Sequence, residues 1–134
     1  MALAPGLKHQ TRAVVDSAHA IDFMGSHVPR VLATPALIMY LEMVSRDLAK
    51  QHLDTGYDTV GTHVDVKHLA ATPIGMAVTY HAELIEAGDR RLRFRVEAFD
   101  EREKVGEGFH ERAIVNIAKF SERVQAKAEG VVSS

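Results

Sequence analysis

Residues 36–44 read Ala-Leu-Ile-Met-Tyr-Leu-Glu-Met-Val, apolar or aromatic at every position except Glu42. The Thr34-Pro35 pair before them suits a helix start, with Thr34 as N-cap and Pro35 as first helical residue. Lys50 and His52 near the far end suit the negative pole of the helix dipole, so the pattern predicts a helix to about Gln51. Apolar residues nearly all the way round mean a helix covered on most sides. Such a helix does not stand alone, and the rest of the chain must wrap around it.

The remainder is strand-like. A short strand is expected over residues 8–16 and longer ones over residues 58–69, 76–86, 91–99 and 104–117. In the third, Met76, Val78, Tyr80, Ala82 and Leu84 alternate against Ala77, Thr79, His81 and Glu83. In the fourth, Leu92, Phe94, Val96 and Ala98 point inward, and Arg91, Arg93, Arg95 and Glu97 outward. Tight turns at residues 87–89 and 100–103 join them, and Gly106 and Gly108 mark a bulge in the last strand. Residues 120–128 suggest a short terminal helix, with a frayed tail over residues 129–134. Residues 17–33 show little periodicity and contain Gly25 and Pro29, the mark of a lid or binding loop.

One long apolar helix against an antiparallel sheet of about five strands is an α+β layer design. A single domain spanning residues 1–134 is expected, large enough to bury roughly two-thirds of its unfolded surface. So small a sheet leaves edge strands open, and edge-to-edge pairing into a homodimer, or a higher homo-oligomer, is expected.

Composition removes several function classes. Net charge is −2 and no basic, aromatic-studded patch occurs, so nothing supports nucleic-acid binding. There is no cysteine, which excludes disulfides, thiolate zinc sites and a cysteine nucleophile. No apolar run is long enough to span a bilayer, and the N-terminus lacks a signal peptide's charged start and long apolar core. A cytoplasmic protein is expected. His63, His81 and His110 fall on neighbouring strands, but no short ligand spacing supports a metal site.

Two residues break the apolar pattern. Glu42 is costly to bury ionised and unpaired, so it needs a salt-bridge partner, a proton or a cavity. His68 closes a strand that sets Val60, Val64, Val66 and His68 on one face, and Gly61, His63, Asp65 and Lys67 on the other. A lone histidine on an apolar face is usually a core residue, but it also titrates near neutrality.

Ala33-Thr34, Glu42, Gly61-Thr62, His68-Leu-Ala-Ala-Thr-Pro73, Gly88-Asp-Arg-Arg-Leu92 and Gly108-Phe-His-Glu-Arg-Ala-Ile-Val115 together resemble the fluoroacetyl-CoA thioesterase family of hotdog proteins. The similarity runs from about Ala33 to Val124. It implies a hotdog fold and an acyl-CoA thioesterase, with coenzyme A entering only as part of the substrate. It also implies catalytic roles for Thr34, Glu42 and His68. His68 is then the general base. Glu42 either attacks the acyl carbon or orients a water, and Thr34 binds substrate or holds the other two in register. Gly61 matches a family glycine that admits substrate close to the backbone, its alternative reading being a strand bulge, and Arg112 matches an arginine that neutralises Glu42 or meets an anionic part of the substrate. The helix N-terminus offers backbone N–H groups to the thioester oxygen. The row Arg91, Arg93, Arg95 is either a solvated face or an attraction for coenzyme A phosphates.

Aligned on Thr34 without gaps, Gly25 and Val28 stand where the family's best-known member carries lid phenylalanines. The resemblance therefore implies hydrolysis of a different small or medium acyl-CoA. The competing readings are a hotdog acyl-CoA hydratase or dehydratase, whose short Asp-and-His motif is missing, and a non-catalytic acyl-CoA or small-ligand binding module.

Overall fold

In the order of the chain, the elements are β1 (Lys8–Val14), a 3₁₀ turn (Ser17–His19), α1 (Thr34–Lys50), β2 (Tyr57–His68), β3 (Ala77–Ala87), β4 (Arg91–Phe99), β5 (Lys104–Asn116) and α2 (Ile117–Ala128). They come from a computed structural model that describes residues 2–130. The five strands form one antiparallel sheet in the order β1-β3-β4-β5-β2.

Alternation builds the core. Val78, Tyr80, Ala82 and Leu84 of β3 and Leu92, Phe94, Val96 and Ala98 of β4 are all buried, as their period predicts. They meet Leu37, Leu41, Val44 and Leu48 of α1, which recur at helical spacing. The helix comes close to the sheet at Gly106, where an added Cβ would lie 3.1 Å from a methyl carbon of Leu37. This is a helix cradled by a curled sheet, the hotdog arrangement.

The bulges differ from expectation. In β5 the extra residue opposite β4 is Val105, because Ala98 pairs with Gly106 and Phe99 with Lys104. Gly108 serves another purpose. Its φ is +157°, and a Cβ there would fall 2.0 Å from the Asp65 carbonyl oxygen of β2. β2 has its own bulge, at Thr62, between the pairs Gly61–Arg112 and His63–Glu111. The bulge shifts the phase of the strand, so Thr59 and Gly61 face α1 instead of Val60.

Two further boundaries move. Ala33, with extended backbone, is the N-cap of α1, and Thr34 is its first helical residue, with no side-chain cap bond. α2 begins at Ile117, earlier than its apolar pattern suggests, because Asn116 caps it by accepting from the Lys119 N–H. Of the tail expected to fray, residues 131–134 lie outside the described residues. No described helix is long and apolar enough to cross a membrane.

Residues 20–32 form an organised loop. Isolated bridges join Ala20 to Leu32 and Val31 to Pro73. Arg30 fastens its base, donating to the carbonyls of Ser17, Ala20 and Ile21 at 2.8, 3.0 and 2.9 Å. The tip presents Phe23 and Met24 to solvent, with Phe23 75% exposed.

Candidate active site

α1 and β2 carry most of the candidate residues, and two contacts fix one element against the other. Arg46 forms a bidentate ion pair with Asp58, which holds that carboxyl below its usual range. Lys50 Nζ donates to the Tyr57 carbonyl at 2.7 Å.

Where α1 begins, Thr34 Oγ1 and His68 Nδ1 are hydrogen-bonded at 2.8 Å. The hydroxyl expected to cap the helix is thus engaged by the imidazole at the end of β2. His68 Nε2 is buried and has no hydrogen-bond partner among the described residues. Burial pushes the His68 pKa down, only partly offset by the nearby Ala70 backbone. At the same helix end Pro35 has no N–H, and the Ala36 N–H is bonded to the Ala33 carbonyl. This leaves the Thr34 N–H, fewer donors than an uncapped helix terminus would offer.

Glu42 lies two turns further along. Its carboxylate is not buried on the core side as the apolar run suggests, for its side chain is 39% exposed. Oε1 rests over Gly61, where an added Cβ would come within 2.6 Å. Arg112 Nη1 is 3.8 Å away and His110 Nε2 4.0 Å. Arg112 faces inward and is 7% exposed. Its Nε donates to Thr59 Oγ1 at 2.7 Å and its Nη2 to the Thr59 carbonyl at 2.9 Å. Burial lowers the Arg112 pKa, while Glu42 and Asp58 favour the cation.

The five residues singled out from sequence therefore form two groups within one chain: Thr34 with His68, and Glu42 with Gly61 and Arg112. Thr34 and Glu42 are eight helical residues apart, about 12 Å. His68 and Gly61 are seven strand residues apart, about 23 Å. No hydrogen bond or ion pair joins Glu42 to His68.

His110 stands out in the sequence only as a candidate metal ligand. It alternates with Arg112 on the inward face of β5, and that spacing is the signal that points to it. Among the described residues no three His, Asp or Glu side chains are grouped to hold a metal. In the arginine row, Arg93 pairs with Glu111 at 2.7 Å and lies over the Phe109 ring, and Arg95 pairs with Glu83 at 3.3 Å.

The family model for fluoroacetyl-CoA-specific thioesterase matches residues 14–118. The chain belongs to that family. It is 38% identical over 99 residues to the fluoroacetyl-CoA thioesterase of Streptantibioticus cattleyicolor, covering 74% of this chain and 71% of the relative. The solved structure of the fluoroacetyl-CoA thioesterase FlK superimposes with a TM-score of 0.86 at 31% identity, covering 95% of this chain and 98% of FlK. A thioesterase-superfamily protein from Thermus thermophilus gives a TM-score of 0.83 at 26% identity, covering 95% and 96%. The hotdog fold and the thioesterase family are thus common ground between the sequence and these proteins.

Proposed function

We propose that this chain, a thioesterase of the fluoroacetyl-CoA-specific family, hydrolyses a small or medium acyl-CoA at a site completed by a second copy of itself. The observation that carries this reading is the state of His68. One ring nitrogen is held by Thr34, and the other is buried without a partner. A buried, unsatisfied nitrogen is costly unless something arrives to use it. With Nδ1–H donating to Thr34 Oγ1, Nε2 keeps its lone pair and can take a proton as general base.

The second copy joins the two groups. β2 is an edge strand, paired only with β5, and Gly61 to Asp65 are exposed. Antiparallel pairing of two β2 strands about a two-fold axis at Asp65, with the bulge residue Thr62 left unpaired, sets Gly61 opposite the partner subunit's His68. Glu42, lying over Gly61, then faces the partner subunit's His68 and the partner subunit's Thr34. In this homodimer each chain contributes one hotdog unit and half of each of two sites.

The roles follow from chemistry. Glu42 acts at the acyl carbon, either directly or by aligning a water. When a water attacks, His68 takes its proton and returns it to the departing coenzyme A sulfur. When Glu42 attacks, the C–S bond breaks to leave a mixed anhydride and coenzyme A thiolate, and His68 then takes the proton of the water that hydrolyses the anhydride. The Thr34 N–H, at the positive end of α1, stabilises the developing oxyanion. Arg112 holds the Glu42 carboxylate as an ion pair at 3.8 Å, not through a direct hydrogen bond. Coenzyme A enters as part of the substrate, which makes the cytoplasm the expected location. A solved FlK mutant is in complex with fluoroacetate and CoA, which supports coenzyme A as the carrier. Gly25 and Val28, small and at the loop tip, favour an acyl group other than fluoroacetyl.

A thiol-release assay over an acyl-CoA panel tests this, with His68→Ala and Glu42→Gln beside the wild type and sedimentation reporting the oligomer. Turnover of a short or medium acyl-CoA, lost in both variants, is expected. Tight binding without turnover favours a binding module, and hydration of crotonyl-CoA favours a hydratase. Wild-type rates in both variants would overturn the site.

A further inference from the structure

We propose that His110 is a positioning residue, which orients the Arg112 guanidinium, and through it Glu42, by accepting a hydrogen bond from Arg112 while tethered to the bulge of β2. The inference rests on Glu42 acting at the reacting carbon.

Hydrogen bonding fixes the ring. His110 Nδ1 is 2.8 Å from the carbonyl oxygen of His63, which can only accept, so Nδ1 carries the proton. Nε2 then presents a lone pair, and Arg112 Nη1 donates to it at 3.1 Å. Nη1 has two hydrogens. One goes to His110, and Glu42 Oε1 lies 3.8 Å from the same nitrogen, within ion-pair reach but beyond a hydrogen bond. Thr59 accepts from Nε and Nη2, so His110 supplies the remaining anchor of the planar fork.

The ring also forms part of the floor under Glu42. Its Cε1 lies 3.3 Å from the point where a Cβ on Gly61 would stand, beside the Glu42 carboxylate. His110 is 1% exposed and stacks on Phe94 at 6.4 Å between centroids, so it has little freedom to turn. Burial holds its pKa below the usual imidazole value, which keeps Nε2 free to accept. His63 follows the bulge residue Thr62, and the same ring therefore ties the bulge that carries Gly61 to the guanidinium that faces Glu42.

Two substitutions separate the two bonds. His110→Asn keeps an N–H near the His63 carbonyl, but its carbonyl oxygen falls short of the Nε2 position that Arg112 meets. His110→Gln reaches with a carbonyl oxygen to the place of Nε2. We expect kcat to fall about tenfold or more in His110→Asn with KM nearly unchanged, because the carboxylate is displaced and not removed. His110→Gln should recover most of that loss. In an Arg112→Met background His110→Asn should cost nothing further, since its path to Glu42 is already cut. Circular dichroism and thermal melting verify that each variant is folded. If His110→Asn folds poorly, His110→Gln carries the comparison: activity above that of Arg112→Met supports the proposal, and activity no higher overturns it. Additive losses in the double variant, or a wild-type kcat in His110→Asn, also overturn it. Glu42→Gln separates the two levels. Full activity there would remove the site reading itself. An inactive Glu42→Gln beside a fully active His110→Asn would remove the positioning role alone.

Discussion

The Glu42 carboxylate rests on Gly61, so close that a methyl group on that residue would lie 2.6 Å from Oε1. The crowding atom is the end of a flexible side chain, and the backbone of β2 need not move to relieve it. Gly61→Ala should therefore displace the carboxylate without unfolding the protein. A fall in kcat of about 10- to 100-fold is expected, with Tm nearly unchanged. Steady-state kinetics beside thermal melting check this. A large fall in Tm would mean that Gly61 serves the bulge and not Glu42.

Gly108 predicts the opposite outcome. Its Cβ would strike the backbone of β2, 2.0 Å from the Asp65 oxygen, at a φ that side chains rarely adopt. Gly108→Ala should cost about 2–4 kcal/mol of stability, read from denaturant unfolding. Truncating Phe94, fully buried at the centre of β4, should cost about 3–5 kcal/mol through the cavity it leaves.

Acid should act on activity and stability with the same sign. Burial holds both His68 and His110 below the ordinary imidazole value of 6.5. As pH falls through 6.5 the unfolded chain takes up protons before the folded one does. Their stabilising contribution, complete above that value, is then lost down to the depressed folded values. Tm should hold near neutrality and fall below pH 6.5. Acid should also lower kcat/KM, because a protonated His68 can no longer serve as the base. A kcat/KM that shows no fall on the acid side would contradict His68 as the base.

Much of the fold was legible in the residues because burial imposes a period. The inward rows of β3 and β4 and the extent of α1 follow from it directly. The bulge at Thr62 was legible only as the alternative reading of Gly61, and its effect on the facing of the strand was not. Val60, Val64 and Val66 keep an unbroken alternation through it, and Gly61 and Thr62 are too small to mark a face. The exposure of Glu42 was hidden for a different reason. A helix apolar nearly all round suggests burial on most sides, yet Met43 is 48% exposed in the single chain. A sequence records burial in an assembly as well as in a protomer, without distinguishing them. The match of Thr34, Glu42 and His68 to the family pattern likewise did not indicate that they fall into two groups within one chain.

The composite site is the centre of this account, and mixed dimers test it most directly. Glu42→Gln and His68→Ala chains, each inactive alone, are carried on different tags and allowed to exchange subunits. In a mixed dimer one site receives Glu42 from the His68→Ala chain and His68 from the Glu42→Gln chain, so that site is intact. Random pairing should restore about a quarter of wild-type acyl-CoA hydrolysis, and isolated heterodimers about half. A mixture that forms heterodimers and stays inactive would contradict the account, because Glu42 and His68 would then have to act from the same chain.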